Sequence, residues 1–163
     1  MSIITKTDAE IDLMREPCAI VRDTLAFVGE RISAGMSTKE VDELVERFIR
    51  AAGAYPSCLG YGGFPASACV SVNEVVVHGI PDDKTILKDG DIVSVDLCAY
   101  KNGFHGDAAR TFLIGNVSEE KRLLVERTKE CFFKGIENLH AGTPLYDIGY
   151  RVQKYAESFG YGV

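Results

Sequence analysis

Several marks of large protein classes are missing from this sequence. Its five cysteines (Cys18, Cys58, Cys69, Cys98 and Cys131) are odd in number, scattered, and form no C-x-x-C pair. That spacing argues against a disulfide framework or a zinc finger and predicts reduced thiols. No window reaches about 18 consecutive apolar residues, so no membrane-spanning helix is expected. The first residues lack the basic-then-apolar pattern of a secretory signal. Positive charge is not in excess either: the net charge is −6, which argues against a nucleic-acid backbone as partner. These absences predict a cytoplasmic protein with no nucleic-acid or membrane partner. What is present is an ordinary globular composition, 46% hydrophobic and 26% charged over 163 residues. That suffices for one sizeable core.

The chain opens on helical signals. Thr7 with Glu10 forms a capping box. Ile11, Met14, Cys18, Val21, Leu25, Val28 and Ile32 then step by 3 and 4, as a buried helical face does. Pro17 interrupts that face and predicts a kink; Ala34-Gly35 stops it. Ser37 with Glu40 is a second capping box, and Val41 to Ile49 follows at helical spacing until Gly53. From Ala54 to Gly115 the period becomes that of strands. The predicted strands are Ala68 to Val72, Val75 to His78, Asp91 to Tyr100 and Phe104 to Ile114. The glycines at 60, 62 and 63 have no strand-to-helix context, so a phosphate loop is not supported. Ser118 reopens helix up to Ala141-Gly142. Thr143 then caps a last helix, with Pro144 in its first position, and Gly160 ends it.

The segment from Gly90 to Gly115 carries the chemistry. Lys101-Asn102-Gly103 is a hairpin turn between two strands, and each strand contains an aspartate, a residue strands usually lack. Asp96 shares a face with Ile92, Ser94 and Cys98; Asp107 shares one with His105, Ala109 and Thr111. A two-residue loop at Lys101-Asn102 sets Asp96 opposite Asp107, and one at Asn102-Gly103 sets it opposite Ala109. Either puts both carboxylates on one face, roughly 5 Å apart if opposed and about 7–8 Å if diagonal. A three-residue loop without a bulge would reverse one strand. Facing carboxylates repel unless one takes a proton or a divalent cation bridges them. The alternative is a pair of solvent-facing aspartates on an exposed hairpin.

A repeat runs through the chain at an offset of 107 residues. Ala34-Gly35 matches Ala141-Gly142, Val45 matches Val152, Phe48 matches Tyr155, and Gly53 matches Gly160. Helix, Ala-Gly, capped helix and Gly recur in the same order, which suggests duplicated helix–helix–strand halves. The second copy stops at Val163, before any counterpart of the aspartate strands. The expectation is one domain over residues 1–163: a first pseudo-symmetric half over 1–115, with its hairpin at 91–114, and the helical start of an incomplete second half over 118–163.

Three stretches together resemble type I methionine aminopeptidases: Cys58-Leu59-Gly60-Tyr61 with Phe64-Pro65; Asn73-Glu74-Val75-Val76-Val77-His78-Gly79-Ile80-Pro81; and Asp89-Gly90-Asp91-Ile92 leading to Asp96, then His105-Gly106-Asp107. The resemblance spans essentially the whole chain. It implies the α+β pita-bread fold, an antiparallel sheet flanked by helices in two related halves around two divalent ions (manganese, iron, cobalt or zinc). It implies removal of the initiator methionine from nascent polypeptides, with the ribosome as a further partner. It makes Asp96 and Asp107 metal ligands and His78 a catalytic residue beside the scissile bond. It makes Cys58, Tyr61, Phe64 and Cys69, with His78, the substrate-binding residues. It also makes the loop at Asn73 and Val75 a backbone site for a monovalent cation.

The resemblance also implies a His and two Glu ligands beyond Val163, so the 163 residues alone are expected to lack activity. Taken on their own, His78 reads as a strand-end histidine bonded to backbone, and the pocket residues as core. Phe64 departs from the tyrosine common in relatives, which removes a hydroxyl. The rival readings are a non-catalytic pita-bread binding protein and a prolidase-like or creatinase-like enzyme. Apolar surface left uncovered by the absent strands predicts self-association.

Overall fold

The structure is a computed structural model describing residues 3–163. Contacts divide the chain into two compact units, residues 1–117 and 118–163.

The first unit begins with helix α1, Asp8–Gly29. Both halves of the predicted capping box form: the Thr7 hydroxyl accepts from the Glu10 amide and Glu10 accepts from the Thr7 amide. Pro17 lies inside α1 and is buried. The helix stops at Gly29, short of the expected Ile32. A Cβ at Gly29 would stand 2.8 Å from the Phe112 ring, so the helix end is fitted against that side chain. Helix α2, Thr38–Ala51, starts at Ser37 with its own complete capping box.

The sheet follows: β1 (Tyr55–Pro56), β2 (Ala68–Val72), β3 (Ile92–Lys101) and β4 (Phe104–Leu113). All pairings are antiparallel, and β3 is the centre. β2 and the short β1 pair with successive parts of β3, and β4 pairs along its full length. The two-residue β1 was not among the predicted strands. The predicted strand Val75 to His78 does not form. Val76 is 85% exposed, and no strand partner exists for this segment among the described residues. An unpaired run of β-branched residues has no ladder to join, whatever its propensity.

Alternation along β3 divides the sheet. Val93, Val95, Leu97 and Ala99 are fully buried and join Val21, Leu25, Val28, Val41, Val45 and Ile49 in the core between sheet and helices. The intervening Ser94, Asp96 and Cys98 face the other way and are only half-buried. The fold therefore secures the hairpin through one face and leaves the aspartate face open for chemistry.

The second unit is helix α3, Glu119–Ile136, and helix α4, Tyr146–Glu157. Ser118 caps α3 as expected. α4 starts two residues later than the sequence suggested. Thr143 instead accepts from the His140 amide, holding the turn before the helix. The two helices meet tightly at Gly135, where a Cβ would stand 2.7 Å from Val152. Cys131 and Ala156 are buried; Phe132, Phe133, Tyr146 and Tyr150 are exposed.

Candidate metal centre

The hairpin turn decides the geometry of the site. Lys101 pairs with Phe104, so Asn102 and Gly103 form a two-residue loop, with φ of +54° and +85°. Two successive positive φ values match the twist of the flanking strands, which favours Asn-Gly here. Of the open registers this selects one: Asp96 lies opposite Ala109, and Cys98 lies opposite Asp107. The two carboxylates are diagonal neighbours on one face, about 7–8 Å apart by strand geometry. On the other edge of β3, Cys69 lies opposite Asp96. A band of Cys69, Asp96, Cys98 and Asp107 thus crosses three strands.

The electrostatics of the band follow from burial and like charge. Burial raises the Asp96 carboxyl above its ordinary range, and the Asp107 charge adds to this; nearby His78 works the other way. Burial pushes the Cys69 thiol up to about 11, with the neighbouring acidic groups adding to it. A hydrogen bond from Cys98 holds the Cys58 thiol down to about 7. The same bond, burial and Asp107 raise Cys98 well above an ordinary thiol. Negative charge is therefore crowded on this face, with His78 acting against it.

The predicted site residues separate into two groups. Asp96, Asp107, Cys58 and Cys69 are brought together, with His78 within electrostatic range of Asp96. His78 is not the end of a strand; it sits in a loop at φ +57° and is exposed. Gly79 holds that loop to β2, its carbonyl accepting from Val70 at 2.9 Å and its amide donating to Ser71 Oγ at 3.1 Å. Tyr61 lies on a 3-10 turn, Tyr61–Gly63, with its side chain 83% exposed, and Phe64 just after it is half-buried. Asn73 has φ +51°; its side chain donates to Asp91 and accepts from the Ile92 amide, which ties that loop to the start of β3. The Val75 amide bonds to Val72.

Two contributors were not singled out from the sequence. Cys98 is one; its alternation with Asp96 and its place across from Asp107 were available signals. Asp42 is the other. It is 1% exposed on α2, and one carboxylate oxygen accepts from the amides of Ser67 and Ala68 at 2.8 and 2.9 Å. This anchors the start of β2, and with it Cys69. No local pattern predicts a contact across 25 residues.

Paired carboxylates beside a histidine offer hard oxygen donors to divalent ions. Among the described residues, no three or more His, Cys, Asp or Glu side chains converge as a complete metal cage. The pair fits part of a metal centre: a cation would relieve the repulsion that raises Asp96.

The architecture and this face define a metallopeptidase-type α+β protein. The sequence matches the metallopeptidase family M24 profile over residues 12–163, and the chain belongs to that family. It is 52% identical to a methionine aminopeptidase of Clostridium acetobutylicum over 161 residues, covering 99% of this chain and 64% of the relative. The chain thus spans somewhat less than two thirds of that relative's length. The solved methionine aminopeptidase of Rickettsia prowazekii superposes with a TM-score of 0.96 at 38% identity, covering 99% of this chain and 65% of that one. A prolidase from Pyrococcus furiosus shares the fold alone, with a TM-score of 0.84 at 24% identity.

Proposed function

We propose that these residues form the first metal-ligand half of a methionine aminopeptidase, which removes N-terminal methionine from polypeptides. The observation that carries this is the diagonal Asp96–Asp107 pair on the open face of the β3–β4 hairpin. Identity to methionine aminopeptidases, higher than to the prolidases, supports the substrate class.

In this reading Asp96 and Asp107 hold two divalent ions, of manganese, iron, cobalt or zinc. Such ions, when bound, supply Lewis-acid activation of water and of the scissile carbonyl. The chain's own residues bind and orient. Asp96 and Asp107 would supply the carboxylate oxygens that hold the ions. His78, held beside Asp96 by the Gly79 contacts with β2, hydrogen-bonds the substrate at the scissile amide. Cys58 and Cys69, with Phe64 and Tyr61, surround an unbranched thioether side chain; soft sulfur and aromatic groups suit it. The Asn73–Val75 loop holds a monovalent cation through its backbone. The five free cysteines suit a reducing cytoplasm, where nascent chains leave the ribosome.

Two carboxylates offer at most four oxygens, too few to hold two ions tightly, so the 163-residue chain by itself turns over no peptide. The repeat supports a second half related to the first: Gly35 and Gly142 both have φ +95°, and Gly53 and Gly160 have +68° and +81°.

The test is a chimera joining residues 1–163 to the remaining portion of the Clostridium acetobutylicum relative. It should release methionine from a Met-Ala peptide and nothing from a Leu-Ala peptide. Asp96→Asn and Asp107→Asn should each cost at least about 100-fold, as loss of a metal-orienting group does. A folded chimera that takes up Mn²⁺ and hydrolyses neither peptide overturns the proposal.

A further inference from the structure

His105 makes a contact that the reaction above leaves unused. It lies on β4 two residues before Asp107, on the same open face. Its register partner on β3 is Tyr100, whose partner on β1 is Tyr55. β1 and β4 flank β3, so they run about 9–10 Å apart. A serine side chain is too short to cross that gap, but an imidazole lying over the middle strand closes it. The His105 ring rests against the Tyr100 ring, with centroids 4.8 Å apart, and its Nδ1 shares a hydrogen bond with Ser57 Oγ at 3.0 Å.

Ser57 is where the loop bearing Cys58, Tyr61 and Phe64 leaves the sheet. Its amide donates to the Cys98 carbonyl at 3.0 Å, and Cys98 lies opposite Asp107. Beyond Ser57 the backbone bonds turn inward. The Leu59 amide donates to Pro56, Tyr61 to Cys58, Gly60 to Phe64 and Phe64 to Tyr61. The loop is thus a small folded unit hung from Ser57 by one bond to β3 and one to β4. The backbone bond alone would leave it free to pivot; the bond to His105 fixes its angle. Both bonds end on neighbours of Asp107, one across the ladder and one along the strand.

We propose that His105 is a positioning residue: through Ser57 it holds the loop of Cys58, Tyr61 and Phe64 at a fixed place relative to Asp107. An N-terminal methionine seated in that loop is then presented to the carboxylate pair at one depth. This functional part rests on the pocket role proposed above; the tether itself does not.

The first experiment uses this chain without metal and follows hydrogen exchange at the Leu59, Gly60, Tyr61 and Phe64 amides. His105→Phe keeps a ring beside Tyr100 and loses the nitrogen; His105→Asn keeps a polar atom near the place of Nδ1 and loses the ring. Exchange should quicken about tenfold in His105→Phe and in Ser57→Ala, the size of one lost hydrogen bond. It should stay near the parent rate in His105→Asn and in Ser57→Thr. The double variant of His105→Phe with Ser57→Ala should be no faster than either single one, because both remove the same bond. The amide of Val95, which is fully buried in the core, should keep its parent rate in all of them. Unchanged loop exchange in His105→Phe, or effects that add in the double variant, overturns the tether.

The second experiment places His105→Phe in the chimera. KM for the Met-Ala peptide should rise about tenfold with kcat within about twofold, because the lost contact serves binding. A fall in kcat at unchanged KM overturns the positioning role. A parent chimera inactive on both peptides counts against the aminopeptidase reading instead, and exchange in this chain still decides the tether.

Discussion

Gly106 passes directly beneath Pro17. A Cβ at position 106 would stand 2.5 Å from the Pro17 carbonyl carbon and 2.6 Å from the Cys18 amide nitrogen. Helix α1 therefore rests on β4 backbone to backbone, one residue before Asp107. The proline within α1 gives up its own amide bond at this crossing. Gly106→Ala forces main chain to move on both sides, so the cost should exceed the roughly 1–3 kcal/mol of ordinary overpacking. Urea denaturation should show it. A variant within about 0.5 kcal/mol of the parent would mean that α1 lifts from β4 freely.

Asp42 offers a second test of how the site is held. Its carboxylate is the partner of two buried amides, Ser67 and Ala68, with Lys39 at 3.4 Å as its ion pair. Asp42→Ala leaves both amides unsatisfied, which should cost roughly 2–5 kcal/mol. Asp42→Asn keeps an acceptor and should cost about half as much or less. Hydrogen exchange at Ser67 and Ala68 distinguishes this from a general loss of stability: their protection should fall first in Asp42→Ala. Equal losses in both variants would put the weight on charge, not on the amide bonds.

Much of this fold was legible because its signals are local. Both capping boxes, the period change at Ala54 and the Asn-Gly turn act over four residues or fewer. They gave helices, hairpin and the shared face of Asp96 and Asp107. The register stayed open because turn parity depends on one residue, and the Lys101–Phe104 pairing settled it. Val75 to Val77 misled, because β-branched composition reports a preference and not the presence of a partner strand. Asp42 and the Pro17–Gly106 crossing were invisible for a different reason. Each is a contact between distant segments, and nothing in either segment alone names the other.

Gly79 holds the histidine loop against β2. A Cβ there would stand 2.9 Å from the Val70 carbonyl carbon and 3.0 Å from Ser71 Cα. Gly79→Ala should push the loop off the strand, break the Val70–Gly79 bond, and cost about 1–3 kcal/mol. The His78 ring resonances should shift, since His78 leaves the neighbourhood of Asp96. Unchanged His78 signals in a destabilised variant would show that the loop keeps its position by other contacts.

Asp96 makes stability depend on pH with a definite sign. Burial, then the Asp107 charge, raises its folded value above the ordinary 3.8. Between 3.8 and that raised value, the folded state binds more protons at this site than the unfolded state. The ionised carboxylate is thus a penalty on folding, present in full above the folded value and lifted as the pH falls through it. Asp96→Asn removes the penalty. In metal-free buffer at neutral pH the variant should be the more stable protein, and the gap should close as the pH is lowered through the folded value. Mn²⁺ should reverse the order, because a ligand that binds only the folded parent stabilises it alone. Thermal unfolding at several pH values, with and without Mn²⁺, measures both effects. A variant less stable than the parent in metal-free buffer at neutral pH would mean that Asp96 is held by contacts that favour its charge, and the open face would not be poised for a cation.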